Sequence, residues 1–338
     1  MTARHRWPLV LALAGCSGPQ AVLDAAGPQA GRIGALWWIF LWVCVVVMVA
    51  VTAALALALV RGRAHDPDAA SPVVHVDPTG ERRAGVVVAI AVGLTALVLV
   101  GLLTASVLTG RAISALAVPE PAVTIEVIGH QWWWEVRYRD PVPAQEVVTA
   151  NELHIPVGQP VKITLTSRDV IHSFWVPPLH GKRDLIPGQH AETWIQADRP
   201  GVYEGQCAEF CGLQHARMRL KIFAEEPAQF AAWLQGQRAT APEPQTAQLR
   251  RGRDVFVQGS CALCHTVLGT EARGKVAPDL THIASRTTLA AGTLPNTPGH
   301  LAGWIIDPQS VKPGTRMPAN SLDVESLQAL LAWLGSLE

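Results

Sequence analysis

Two stretches of the chain carry no ionisable side chain. Residues 33–60 and 84–110 contain no Asp, Glu, Lys, Arg or His. Each exceeds the roughly 20 apolar residues that take a helix across a bilayer. The pattern predicts a two-helix transmembrane hairpin, with spans over 33–60 and 84–110. The loop between them, 61–83, holds Arg61, Arg63, Arg82 and Arg83 close to the membrane ends. Positive-inside bias assigns that loop to the cytoplasm. Two crossings return the chain to its starting side, so residues 16–32 and everything beyond Arg111 are expected to be extracytoplasmic. Cys44 lies within the first run and reads as a small apolar residue.

Beyond Pro121 the period changes. VTIEVIGHQWWWEVRY and ELHIPVGQPVKITLTSRDVIHSFWV alternate apolar and polar, with Gly and Pro turn signals between them. Such alternation predicts short strands, and over 120–225 it suggests an all-β sandwich or Greek-key barrel. Residues 226–248, which include GQRATAPEPQTAQ, read as a linker: polar, Pro-containing and aperiodic. From 249 to 338 the spacing is helical, ending on VESLQALLAWLGSL with apolar residues on one face. The expected fold is a multidomain membrane protein: a transmembrane hairpin, an all-β domain and an all-α domain. At the N-terminus, Arg4 and Arg6 precede a short apolar run that ends LAGC. This is a signal-peptide layout. Its ending resembles the bacterial lipobox, which makes 1–15 a lipoprotein signal peptide and Cys16 the lipidated first residue.

Length and composition refine this. The 338 residues suggest two or three folded units, and 49% are hydrophobic while 16% are charged. The formal net charge of zero, with no basic, aromatic-interleaved patch, gives no reason to expect a nucleic-acid partner. Four of the six cysteines form two close pairs, Cys207 with Cys211 and Cys261 with Cys264, each followed by a histidine. Two of the four methionines, Met218 and Met317, lie beside or downstream of these pairs. Soft ligands so placed argue for copper, iron or zinc before disulfides.

The first pair sits in GQCAEFCGLQHARM. Two thiolates can bridge two copper ions, each then needing one imidazole and a weak axial donor. His215 supplies one imidazole, and His172, at the end of a predicted strand, is the leading candidate for the other. The Met218 thioether and the Glu209 backbone carbonyl are the candidate axial donors. A disulfide and a Cys2His2 zinc site use the same residues and stay open on spacing alone.

The constellation GHQWWWEVRY, DVIHSFWVPPLHGKRDLIPG and GQCAEFCGLQHARM, in that order after two spans, resembles subunit II of the haem-copper cytochrome c oxidases. The resemblance runs from Ile33 to about Phe223. It implies a cupredoxin-like domain with a dinuclear copper A centre on His172, Cys207, Glu209, Cys211, His215 and Met218. It also implies that the Glu209 side chain reaches magnesium at the interface with subunit I, and that Trp132 is the point of electron input above the copper. A glutamate near Glu81 marks a proton-uptake path in that family. Here the Trp and Pro that follow it are replaced by Ala84 and Val88, so a solvated loop carboxylate is the competing reading.

The second pair, Cys261-Ala-Leu-Cys264-His265, is a c-type haem attachment pattern. The thiols bond the haem vinyl groups and His265 becomes an axial ligand. KPGTRMPA supplies Met317 as the sixth ligand, and a Met/His pair raises the haem potential. APDLTHIASR resembles the stretch that buttresses the axial histidine in class I cytochromes c. That resemblance implies a Pro278 carbonyl on the His265 ring and a structural His282. A subunit II followed by such a domain resembles the caa-type oxidases.

The expected function is the electron-transfer subunit of a terminal oxidase. Electrons would pass from haem c by way of Trp132 to copper A and on to subunit I, which reduces oxygen and moves protons. Subunits I and III, the lipid bilayer, and a cytochrome c or bc-complex donor are the implied partners, in a bacterial cell membrane. A linker of 13 residues, 236–248, spans on the order of 20 Å as a flexible coil and would hold the haem near Trp132 at millimolar effective concentration. The copper A subunit of a nitric oxide reductase is the alternative.

Overall fold

The computed structural model describes residues 18, 20–62, 78–115, 121 and 123–338. The expected signal peptide, Cys16 and residues 63–77 lie outside the described residues. Residues 31–117 form one unit, and the flanking segments 1–30 and 118–338 form the other.

The first unit holds two helices, α1 (Pro28–Gly62) and α2 (Pro78–Ser114). Both outrun the uncharged stretches and start at a proline, which suits a first helical turn. At about 1.5 Å per residue, α1's 35 residues reach well past a hydrocarbon core of about 30 Å. The most apolar window of each helix has none of its residues buried inside the protein. So much exposed apolar surface needs lipid or a partner to cover it. Glu81 is exposed in the first turn of α2, where a carboxylate complements the helix dipole.

The second unit begins with a β-sandwich of ten strands: β1 (Val123–His130), β2 (Trp133–Arg139), β3 (Val147–Ala150), β4 (Glu152–Pro156), β5 (Val161–Ser167), β6 (His172–Trp175), β7 (Arg183–Leu185), β8 (Ala191–Ile195), β9 (Gly201–Cys207) and β10 (Arg219–Glu225). One sheet runs β3-β2-β1-β5-β8 and the other β4-β10-β9-β6-β7. The β1–β5 and β4–β10 pairs are parallel, which makes the topology a crossed one rather than a string of hairpins. The expected alternation is real: β5 is buried at every other residue. Ile125, Trp134, Val136, Ile163, Leu153, Phe174, Leu220 and Ile222 fill the core.

The N-terminal segment before α1 straps onto this sandwich. Ala26 N–H donates to Pro178 O at 2.7 Å, and Asp198 N–H to Ala26 O at 2.7 Å. Gly27 permits the approach, because a Cβ there would lie 2.4 Å from Gln196 O.

The segment 226–248 is not the featureless linker that its composition suggests. It opens with α3 (Pro227–Gly236). Phe230 is buried, and Trp233 stacks on His154 with centroids 4.0 Å apart. Arg238 then pairs with Asp140 at 3.0 Å. Aromatics three residues apart give α3 a sandwich-facing stripe, which the surrounding polar residues mask in the sequence.

The helical domain comprises α4 (Ala247–Gln258), α5 (Cys261–Cys264), a small hairpin β11 (Thr288–Leu289) and β12 (Leu294–Pro295), α6 (Pro298–Ile306), α7 (Pro308–Val311) and α8 (Val324–Leu334). Thr246, Thr297, Asp307 and Asp323 cap α4, α6, α7 and α8 with their side chains. Helices α4 and α8 touch at Gly252, where a Cβ would sit 2.1 Å from Ala329 O. Phe256 and Trp333 pack beside that crossing, centroids 5.2 Å apart.

One buried histidine sets a pH dependence for the sandwich. His180 stacks on Phe174 and bonds Gly181 O through Nδ1. Burial pushes its pKa down to about 4. Below about pH 6.5 the unfolded chain takes up a proton that the folded chain refuses. Stability contributed by this site is therefore complete above about pH 6.5 and falls away towards pH 4, by at most about 3 kcal/mol. His180→Phe is expected to flatten that part of the melting-temperature profile. An unchanged slope between pH 4 and 6.5 would assign the acid sensitivity elsewhere.

Candidate functional site

The loop between β9 and β10 carries most of the candidate ligands, and β6 delivers the remaining one. Pairing of β6 with β9 sets Phe174 opposite Cys207, which brings the start of β6 over the loop. His172 is the first residue of β6 and is fully buried. Gly129 makes room for it, since a Cβ there would lie 2.7 Å from the imidazole. Asp169 Oδ1 holds the His172 Nε2 at 2.9 Å, which leaves Nδ1 facing Cys207.

The donors then follow in a row. His172 Nδ1 is 3.9 Å from Cys207 Sγ, the two sulfurs are 3.8 Å apart, and His215 Nδ1 is 3.7 Å from Cys211 Sγ. Met218 Sδ lies 3.9 Å from Cys211 Sγ, and Glu209 O lies 3.2 Å from Cys207 Sγ. All six residues singled out in the sequence meet at one place. A sulfur separation near 3.8 Å is about twice a disulfide bond, so the thiols are unlinked. Each imidazole addresses a different sulfur, one at either end of the pair. That arrangement suits two metal positions flanking two bridging sulfurs better than one tetrahedral zinc. The neighbouring Cys211 thiol, with His172 adding to the effect, holds the Cys207 pKa well below the usual thiol range, while Cys207 pushes that of Cys211 up. His172 lies above its usual pKa because its hydrogen bonds to Asp169 and Cys207 outweigh its burial. The Glu209 side chain is half exposed, 3.4 Å from Lys182 Nζ.

Trp132 roofs this cluster. Its indole Nε1–H donates to Cys211 O at 2.9 Å, and Gln131 Nε2 donates to the same oxygen at 2.8 Å. Trp132 is 7% exposed, whereas Trp134 is fully buried in the core and Trp133 stacks on His130. The three tryptophans thus divide between site, core and surface.

The second centre is a crevice of about 350 Å³ in the helical domain. Cys261, Cys264, His265, Leu280, Leu301, Ile305, Met317 and Leu330 line it, and it reaches Trp132 and His130 of the sandwich. His265 Nδ1 contacts Pro278 O at 2.7 Å, the buttress expected from the sequence. Burial lowers the His265 pKa, and the Nδ1 contact to Pro278 O leaves Nε2 available as a ligand atom. Cys261 and Cys264 are unpaired. An apolar slot with two free thiols at its mouth and imidazole and thioether donors in its wall fits a covalently bound haem. His282 bonds Glu338 O and is structural.

Three charged residues at this site went unseen in the sequence. Arg286, half-buried, donates to Asp279 O at 2.5 Å and lines the crevice. Glu152 and Lys312 sit buried in the seam between the two domains. Burial lowers the pKa of the Lys312 amine, while three carbonyl oxygens accept from it and favour its charged form. A lone Glu in a strand and a lone Lys after a helix look solvated, and nothing nearby in sequence signals otherwise.

Two family profiles match the chain: the periplasmic domain of cytochrome c oxidase subunit II over residues 144–224, and cytochrome c over 249–338. Cytochrome c oxidase subunit 2 of Alkalihalophilus pseudofirmus is 36% identical in an alignment that covers 98% of this chain and 95% of the relative. The chain belongs to the cytochrome c oxidase subunit 2 family. Subunit 2 of Bacillus sp. strain PS3 is 33% identical over 228 residues, 64% of this chain and 62% of that protein. The crystallised periplasmic domain of subunit II from Bradyrhizobium japonicum is 33% identical, covers 36% of this chain and 97% of that one, and has a TM-score of 0.34. Membership of the subunit 2 family, with a cytochrome c domain at the C-terminal end, implies copper A for the sandwich and haem for the helical domain. It also makes the chain a membrane protein whose folded domains lie outside the membrane.

Proposed function

We propose that this subunit 2 is the electron-input arm of a terminal oxidase in a bacterial cell membrane. Cys261, Cys264, His265 and Met317 hold haem c. His172, Cys207, Cys211, His215, Met218 and the Glu209 carbonyl hold dinuclear copper A. Bound haem c and copper A each supply a one-electron carrier with no open position for oxygen. The path runs on to the haem of subunit I, where oxygen is reduced to water with proton translocation, and the Glu209 carboxylate turns to magnesium at that interface. Subunit III completes the complex, and a cytochrome c or bc complex is the donor.

One observation carries this reading. Trp132 lines the crevice and also hydrogen-bonds the carbonyl of Cys211, so a single side chain joins the two centres. The residues do the rest. Pro278 fixes the His265 ring, Asp169 fixes His172, and burial of Cys207, Cys211 and Met218 keeps water off the sulfurs. Donors held by a rigid sandwich shift little when charge arrives, which lowers the reorganisation that transfer requires.

Electron paramagnetic resonance of the purified oxidase is the test. One electron shared over two copper nuclei, beside low-spin haem, supports the reading; a single-copper spectrum removes it. Oxygen rather than nitric oxide consumption separates the two reductase classes. Met218→Leu removes only a weak thioether donor. It is expected to shift the copper potential and slow turnover about tenfold while the two-copper signal persists. Unaltered turnover would take Met218 out of the ligand set.

A further inference from the structure

Two buried charges cross the seam between the sandwich and the helical domain, one from each side. Lys312 follows α7 and is 2% exposed. Its Nζ donates to Trp132 O at 2.7 Å, Arg217 O at 2.9 Å and Ala290 O at 3.0 Å. Three acceptors match the three N–H bonds of an ammonium group. Two of them belong to the sandwich. Glu152, on β4, is 4% exposed. Its carboxylate accepts from Thr287 N–H at 3.0 Å, Thr287 Oγ1 at 2.7 Å, and the N–H and Oγ1 of Thr288 at 2.9 Å. All four donors belong to the helical domain.

Such contacts do more for register than for affinity. Burying each charge costs solvation that the new hydrogen bonds roughly offset. Any other docking pose would leave a buried charge without partners, which is far worse. Neutral bonds along the seam follow the same register: Gln214 Nε2 to Pro313 O at 2.7 Å and Arg219 N–H to Ala291 O at 3.1 Å. The loop after Lys312 is shaped for the indole as well. Gly314 has φ +85°, and a Cβ there would lie 3.5 Å from Trp132 Cη2 and 3.3 Å from Leu213 Cδ1. The same loop continues to Met317, whose side chain lines the crevice. The residues 312–317 therefore join the backbone of Trp132 to a wall of the haem slot.

We propose that Lys312 is a positioning residue for electron input, pinning the Trp132 backbone to the loop that carries Met317, with Glu152 as its reciprocal lock, so that transfer occurs from a fixed haem domain and not a swinging one. This rests on the electron-transfer reading above. The step moves one electron from reduced haem c to oxidised copper; no bond forms and no proton moves.

The experiment is rapid photoreduction of haem c in the purified oxidase, followed by its reoxidation through copper. In the unmodified protein the rate is expected to be independent of glycerol viscosity and of salt. A rate that falls with viscosity overturns the fixed docking. Lys312→Met is expected to slow reoxidation about tenfold or more, the equivalent of one or two charge-assisted hydrogen bonds, and to make the rate viscosity-dependent. The haem absorption and copper resonance spectra should stay unchanged, which a loss of folding would not allow. If those spectra do change, Glu152→Gln, on the other domain, decides: the same slowing and viscosity dependence supports the proposal. Unaltered rates in a spectrally intact Lys312→Met, or in Glu152→Gln, overturn it. Absence of any haem-to-copper transfer in the unmodified protein is a different failure, of the electron-transfer reading itself.

Discussion

Cys207→Ser is expected to abolish the shared-electron copper signal and to cut oxygen consumption about a hundredfold or more. The magnitude follows from position. Losing a residue that merely supports a metal ligand costs about 10–100-fold, and Cys207 sits in the row itself, between His172 Nδ1 at 3.9 Å and Cys211 Sγ at 3.8 Å. A serine oxygen is a harder donor than a thiolate and poorly suited to bridge copper. The fold itself should survive, because the Cys207 backbone N–H still reaches Met218 O at 2.9 Å and the β6–β9 pairing is untouched. The variant should melt near the parent while its copper resonance is lost or becomes that of one isolated ion. A two-copper spectrum in Cys207→Ser would remove the bridging role of this sulfur.

The second large effect concerns the haem domain. Its crevice of about 350 Å³ interrupts the cluster that holds Phe256, Ile305, Leu330 and Trp333. Without haem, the apolar side chains that wall the crevice, Leu280, Leu301, Ile305 and Leu330 among them, stay open to water, and the domain loses the burial that the group would provide. The whole stability of a domain is about 5–15 kcal/mol. Protein made without haem maturation, or as Cys261→Ala with Cys264→Ala, is therefore expected to lose the helical domain. Limited proteolysis should then leave a fragment ending between 239 and 246, because residues up to Arg238 are anchored on the sandwich through Asp140. The sandwich core does not use the crevice, so copper binding should persist in that fragment. A helical domain that resists protease without haem would mean that its other contacts, chiefly Gly252 against Ala329, suffice.

The linker and the docking are where reading by composition fell short. The composition of 236–248 predicts a coil that keeps the haem domain merely nearby. Instead α3 belongs to the sandwich, and Ala241 N–H bonds Leu268 O at 2.9 Å on the far side. Little free chain is left. Two aromatics within one helical turn are a weak signal among Pro, Gln and Ala, and only the partner rings of Tyr138 and His154 give them a role.

What the sequence determined by itself was everything carried by near neighbours. Uncharged runs longer than a bilayer are a property of composition. Cys-x3-Cys-x3-His-x2-Met and Cys-x-x-Cys-His are spacings within one loop or one turn, and a loop of that length keeps its donors together wherever the fold sets it. His172 and Met317 became readable through the motifs around them. The tertiary structure alone decided how distant segments register. His172 meets Cys207 because β6 pairs with β9. The indole of Trp132 reaches Cys211 O through a loop some 80 residues further along the chain. Lys312 and Glu152 became buried because two separately folded surfaces close over them. A charged residue is written in the sequence as solvated by default, since burial is a property of the surface that covers it and not of its neighbours in the chain.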